Sequence, residues 1–413
     1  MIRSIARSSK DTFMTVSDKL SFSTDTKSAG SGEVWRDWLS ARALPLWSVA
    51  GFDRKRNLYH ERLNWDGCPV PMSGLRLMVQ ARQISTYCRA TLDGFYDASA
   101  QALQCLDVVE RAYHGSDGDA GWVFSLAPNG KPADSRRDLY AHAFILFAYG
   151  WAIRLTGEER YRKIARQTAE EVERIFAAPD TGYLDTVPST DSLRRQNPHM
   201  HLLEAYLVLF EATGDEYYLD RLRGLMTLTR NHLLDRRSGL LLEFFDSSWK
   251  PLEPASRNRV EPGHLFEWAW LIGEYERLVS PSGEDMAGLR DVTERLFRSG
   301  LSLGTDPKTG FVFDAMTEDG VVFERMTRIW PQTELLRLLC THHVSGKRES
   351  ISAHDLGTTF LARFAPSRLA GGWIDRFDEV GSPLVDYMPA SSLYHIYGAA
   401  RLLSGCVPET GHG

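Results

Sequence analysis

The feature that most constrains the fold is a unit of short strand, polar turn and long apolar helix, repeated six times along the chain. The strands open at Gly51-Phe52-Asp53, Gly121-Trp122-Val123-Phe124, Gly182-Tyr183-Leu184-Asp185, Gly239-Leu240-Leu241-Leu242, Gly310-Phe311-Val312-Phe313-Asp314 and Gly372-Trp373-Ile374-Asp375. Turns follow at Trp65-Asp66-Gly67, Pro128-Asn129-Gly130, Asp319-Gly320 and near Gly381. A Gly, an apolar alternation and an Asn-Gly or Asp-Gly tip predict a β-hairpin in each unit. Helices then enter at Pro71, Asp138, Pro198, Pro262, Pro331 and Pro389. They are apolar nearly all round, which marks buried helices.

Amphipathic, charged helices are predicted between them over Glu158–Phe176, Glu216–Leu234 and Asp285–Ser299. Thr156-Gly157-Glu158 and Thr213-Gly214-Asp215 each read as a Gly C-cap before an acidic helix start. Six units of roughly sixty residues, each with an apolar and an amphipathic helix, imply a closed ring. The expected fold is all-α, an (α/α)6 barrel with short β-hairpins at its mouth. It spans residues 33–413 as one catalytic domain, after a poorly ordered tail over 1–32. That tail is Ser/Thr/Lys-rich without the apolar core of a signal peptide, and Met14 is the expected start.

Composition excludes several classes. A net charge of −6 gives no electrostatic footprint for nucleic acid. No apolar run approaches a membrane span. The five Cys are scattered and odd in number, so a reducing, cytoplasmic setting fits better than a disulfide framework. Homo-oligomerisation is left open.

Every inner helix follows its hairpin, so all six N-termini lie at one end of the barrel. Polar residues of the first turns converge there: Arg82, Tyr140, His142, Asn197, His199, His201, His264, Glu267, Trp330, Glu334, Ser391 and His395. Asn197-Pro198 reads as N-cap and first helical residue. His201, His264 and His395 fall at nearly equivalent places in three units, which favours function over three unrelated core histidines. His199, two residues from His201, is expected to face away. Glu267 is expected to orient His264, three residues before it. Trp268 and Trp270 read as packing. No HExxH motif or closely spaced ligand pair is present, so no metal and no cofactor is expected. A glycoside hydrolase would need a matched carboxylate pair, where the cavity face offers mostly His. No Gly-rich phosphate loop is visible, which favours an unphosphorylated ligand; Arg257 and Arg259 are the candidates for any phosphate.

The segments Asn197-Pro198-His199-Met200-His201-Leu202-Leu203-Glu204-Ala205, Glu261-Pro262-Gly263-His264-Leu265-Phe266-Glu267-Trp268 and Trp330-Pro331-Gln332-Thr333-Glu334 resemble the N-acylglucosamine 2-epimerase superfamily. The likeness covers about residues 35 to 405, and Pro-Gly-His-Leu-Phe-Glu-Trp looks most like its mannose isomerase branch. The resemblance implies a metal-free barrel acting on a small aldose, interconverting D-mannose or D-lyxose type sugars with the ketose. A sugar 2-epimerase on the same residues is the alternative. His264 and His395 become the catalytic pair, the first for ring opening and the second for C2-to-C1 proton transfer. Arg82, Asn197 and Tyr140 would stabilise the enediolate, His201 and Glu334 would hold hydroxyls, and Trp330 would cover a sugar face.

Overall fold

The computed structural model describes residues 30–254, 256–279, 287–341 and 351–405. The expected tail over 1–32 lies outside them, except that Ser31 and Gly32 already belong to the first helix. The helices are α1 (Ser31–Trp38), α2 (Leu44–Val49), α3 (Leu77–Leu92), α4 (Ser99–Tyr113), α5 (Leu139–Thr156), α6 (Glu159–Ile175), α7 (Gln196–Thr213), α8 (Glu216–Leu228), α9 (Pro262–Val279), α10 (Ala287–Gly304), α11 (Ile329–Thr341), α12 (Ala353–Phe364) and α13 (Ser392–Leu403).

The odd-numbered helices from α3 to α13 form the inner ring. Each packs on the next, and α13 packs back on α3, so the ring closes. The outer helices α4, α6, α8, α10 and α12 each lie against the inner helix of their own unit. The place outside α13 is filled by the N-terminal helix α1, which contacts both α13 and α12. This division follows from the side chains. Almost every residue of α5 from Leu139 to Ile153 is buried. In α6 burial falls on Tyr161, Ala165, Thr168, Ala169 and Val172, one stripe at helical spacing. Gly157 and Gly214 end α5 and α7 in the left-handed conformation, as read from the sequence.

The expected hairpins form around Asn129-Gly130, where Ser125–Leu126 pairs with Pro132–Asp134, and around Asp319-Gly320, where Ala315–Thr317 pairs with Val322–Glu324, but the strands also do more. The pairings that recur in every unit join neighbouring units. Leu75–Arg76 pairs with Ser125–Leu126, Arg137–Asp138 with Thr186–Val187, and Arg194–Arg195 with Phe244–Phe245. Arg259–Val260 pairs with Met316 and Thr317, and Thr327–Arg328 with Arg376–Phe377. Tyr387–Pro389 closes the circle on Arg62–Asn64. These pairs therefore satisfy backbone groups on the adjacent unit, and the mouth is laced together around the ring.

A second repeat explains His142 and His199. At the fourth position of α3, α5, α7 and α11 stand Gln80, His142, His199 and Gln332. The two imidazoles accept the N–H of Trp122 and of Tyr183 at 3.1 Å. Gln80 and Gln332 accept the N–H of Tyr59 and of Val312 at 2.7 Å. His142 Nδ1 and His199 Nδ1 bond the carbonyls of Asp138 and Arg195, four residues back, as Gln332 bonds Arg328. These side chains clamp the start of a strand to its helix. The residue before the clamped N–H is Gly121 or Gly182, with φ of +85° and +69°, and an added Cβ would lie 3.1 Å and 3.3 Å from the imidazole. His142, expected at the cavity, thus faces the packing between helix and strand. His199 does the same, as its offset from His201 requires.

Candidate active site

Counting along the inner helices locates the site. Leu77, Leu139, Gln196, Ile329 and Ala390 each donate their N–H to a strand carbonyl of the neighbouring unit. Pro262 has no N–H and fills this place at the start of α9. The sixth residue from each start is Arg82, Phe144, His201, Glu267, Glu334 and His395. These side chains form one layer across the barrel. Arg82 lies over the Phe144 ring at 4.1 Å, and Phe144 meets the His201 ring at 4.6 Å. His201 Nδ1 lies 3.9 Å from Glu267, and His395 Nδ1 lies 2.8 Å from Glu334. His201 and His395 are therefore equivalent, whereas His264 sits one turn nearer the mouth. The sequence reading placed all three at one level, because the register of α9 cannot be read until Pro262 is recognised as the missing donor.

Above this layer opens a cavity of about 420 Å³, lined by Arg82, Tyr140, Asn197, His201, His264, Glu267, Trp330, Ser391 and His395 among others. That volume suits a small polar ligand, since ligand sites run roughly 300–1,000 Å³. The Trp330 indole lies between two imidazoles, its centroid 4.8 Å from His264 and 5.8 Å from His395. Each imidazole has its Nδ1 engaged on the far side. His264 Nδ1 faces Glu243 at 2.8 Å and Gln196 at 2.9 Å. Among the described residues, Nε2 of both rings is left without a protein partner.

The two environments push the imidazoles apart. Burial works against charge on His264, but the Glu243 carboxylate outweighs it and holds the pKa above the usual imidazole value. For His395 burial dominates, reinforced by Arg82, His201 and Arg337, and the pKa falls well below that value. His201 is lowered to about 4, mainly by burial. Glu267 is raised well above the carboxylate range by burial and by Glu334 and Glu204 nearby, and both its oxygens are buried without a partner. Asn197 Oδ1 is likewise unpartnered. Arg82 donates to the Tyr140 hydroxyl at 2.5 Å and to the Ser391 carbonyl at 3.2 Å, and forms no ion pair among the described residues. The cavity thus offers a cation without a counter-ion among the described residues, a carboxyl pushed toward its neutral form and an orphan acceptor to an incoming polar ligand.

Several expectations are corrected. Asn197 is not the N-cap: α7 starts at Gln196, because the Arg194–Arg195 ladder delivers the chain into the helix earlier and Gln196 N bonds Glu243 O. Glu267 does not orient His264; Glu243 does, accepting from its Nδ1, and Gln196 in turn donates to Glu243 at 3.0 Å. Glu334 does not reach the cavity. It is fully buried between His395 and Arg337, 2.7 Å from the latter, and positions that imidazole. Arg257 is exposed, and Arg259 is held by Glu324 and Glu261, so neither lines the cavity. The sequence reading missed Glu243, Gln196 and the mouth residues Arg62, Arg76, Arg195, Arg328, Arg376 and Tyr387. Arg at the end of a strand just before an inner helix, as at Arg76, Arg195 and Arg328, was the available signal. His201, Glu204 and Glu267, and separately Glu267, Glu334 and His395, bring donor atoms close enough to hold a cation. Most are already engaged, His201 with Glu204 and Glu334 with Arg337, which favours an acid–base network.

Fold and cavity together define an (α/α)6 barrel with paired imidazoles and a buried guanidinium facing a pocket of sugar size. The chain belongs to the N-acylglucosamine 2-epimerase (GlcNAc 2-epimerase) family, which it matches over residues 59–399. It is 31% identical over 385 residues to a mannose-6-phosphate isomerase of Rhizobium meliloti, covering 90% of this chain and 96% of that one. It is 26% identical to a D-mannose isomerase of Thermobifida fusca, covering 89% and 93%. The fold matches a cellobiose 2-epimerase from Spirochaeta thermophila with a TM-score of 0.78 at 20% identity, covering 91% of this chain and 96% of that one. No described helix is long and apolar enough to cross a membrane.

Proposed function

We propose that this protein, an isomerase-type enzyme of its family, interconverts an aldose of mannose configuration and the 2-ketose by moving a proton from C2 to C1. The observation that carries the reading is the split pair of imidazoles, His264 beside the Glu243 carboxylate and pushed toward its charged form, His395 pushed toward its neutral form, with Nε2 of each without a partner among the described residues beside Trp330. Titratable groups pushed apart in this way mark the acid and the base. Protonated His264 donates to the ring oxygen while the anomeric hydroxyl gives up its proton to water, so the C1–O5 bond breaks and the aldehyde forms. Neutral His395 removes the C2 proton, and Glu334 on its other nitrogen supports the imidazolium that forms. Charge then develops on the sugar oxygens, and Arg82, with Tyr140 beside it, is the preorganised donor set for an enediolate. His395 returns the proton to C1 while the O2 proton passes to the adjacent O1, which leaves the carbonyl at C2 and a hydroxyl at C1. Glu267, as a neutral acid, and Asn197 hold hydroxyls, and Trp330 covers a sugar face.

The relatives named for mannose and mannose 6-phosphate put the manno configuration first. Epimerisation at C2 is the second reading, favoured by the position of His264 across Trp330 from His395, where it could protonate the opposite face. Proton NMR of mannose with enzyme in D2O separates the two: fructose supports isomerisation, glucose supports epimerisation, and no exchange at C2 rejects both.

A further inference from the structure

The mouth of the cavity is rich in guanidinium groups, and they are not alike. Arg76 is held by Glu61 at 2.7 Å. Arg195 lies 2.6 Å from Asp185 and 2.6 Å from Asp191. Arg328 lies 3.0 Å from Glu261 and 3.0 Å from Asp314. These three are neutralised where they stand. On the side formed by the sixth and first units the pattern breaks. Arg62 makes no ion pair or hydrogen bond among the described residues, and its guanidinium rests on the Tyr387 ring at 4.1 Å. Arg376 has only Asp375 at 3.5 Å, a carboxylate already bonded by Ser392 at 2.7 Å, and its Nε is buried without a hydrogen-bond partner. The closing ladder fixes this sector, since Arg62 pairs with Pro389 and Tyr387 with Asn64. The N-termini of the inner helices point toward the same end and add positive potential.

The reacting carbons of the sugar belong deep in the cavity, where the sixth-residue layer sits. The other end of a hexose chain, C6, then lies toward the mouth. We propose that Arg62 and Arg376 hold a phosphate on C6, so that the substrate is a hexose 6-phosphate and not the free sugar. The inference rests on the aldose reading above and reverses the expectation drawn from the missing phosphate loop. Arg62, without a counter-ion among the described residues, and Arg376, with only the shared Asp375 at 3.5 Å, match a group carrying about −1.5 to −2 charge, and a planar fork suits its oxygens.

The test compares kcat/KM for mannose 6-phosphate and for mannose in the full-length enzyme and in Arg62→Met, Arg376→Met and the double variant. The wild type is expected to prefer the phosphate ester by at least about a hundredfold, each single variant to lose about tenfold of that preference, and the double variant nearly all of it, the usual worth of charge-assisted hydrogen bonds. Inorganic phosphate should inhibit the wild type competitively and the double variant far less. Arg62→Lys should keep part of the preference, and Arg257→Met, at an exposed arginine outside the cavity, all of it. Equal or better turnover of free mannose by the wild type overturns the proposal, as does an unchanged preference in folded double variant. Failure to turn over either sugar, with no C2 exchange, would instead remove the aldose reading on which it stands.

Discussion

The repeated clamp gives a prediction that depends on the fold alone. Gln80 and Gln332 do in two units what His142 and His199 do in two others. Both histidines are buried, and burial lowers each to about 4 from the ordinary 6.5. The unfolded chain therefore binds protons that the folded chain refuses, so stability falls as pH drops from 6.5 toward 4. At pH 4.5 each histidine costs about 2–3 kcal/mol by this linkage. Glutamine can make the same hydrogen bonds and does not titrate. His142→Gln and His199→Gln are expected to stay within about 1 kcal/mol of wild type at pH 7.5. At pH 4.5 the double variant should gain about 5 kcal/mol relative to wild type. Urea unfolding across pH 4 to 8, followed by far-UV circular dichroism, measures this. A double variant that loses stability with acid as steeply as wild type would refute the reasoning. Loss of several kcal/mol already at pH 7.5 would show that glutamine does not fit the imidazole's place.

Other consequences concern the site. His264→Ala and His395→Ala should each lower turnover by at least about a hundredfold, the scale of a general acid or base; near-normal rates in a folded variant would return that residue to a packing role. Glu243→Gln leaves only the more distant Glu261 opposing burial at His264, so its pKa falls; kcat/KM at pH 7 should drop about ten- to hundredfold and recover as pH is lowered, whereas an unshifted profile would show that Glu243 does not hold the charge. Glu267→Gln should retain most activity because an amide donates as a neutral carboxylic acid does, and Glu267→Ala should lose roughly ten- to hundredfold; equal losses in both would mean that the ionised form is needed.

The ring, its inner and outer layers and the end that carries the site were legible because they follow from periodicity. Gly121 and Gly182, the apolar length of α5 and the caps at Gly157 and Gly214 each carry a local signal. What could not be read depends on partners distant in sequence. His264 is held by Glu243, 21 positions away, and Glu334 turns to His395 across 61 positions. Spacing suggested Glu267 for the first role, because a neighbour on the same helix is the only partner that spacing can offer, and the hydroxyl role of Glu334 came only from the family resemblance. The interlocked strands were missed for the same reason: a hairpin tip is local, and a ladder between Arg62–Asn64 and Tyr387–Pro389 is not.

The central claim is that His395 moves the proton at C2. It is tested most directly by the rate at which deuterium from D2O enters C2 of the aldose, followed by proton NMR with mannose and mannose 6-phosphate as alternative substrates. In wild type, exchange should accompany ketose formation. In His395→Ala both should vanish together, while in His264→Ala exchange should persist when the reaction is started from the ketose, which has the larger open-chain fraction. Exchange at C2 in folded His395→Ala at a rate close to wild type would contradict the account.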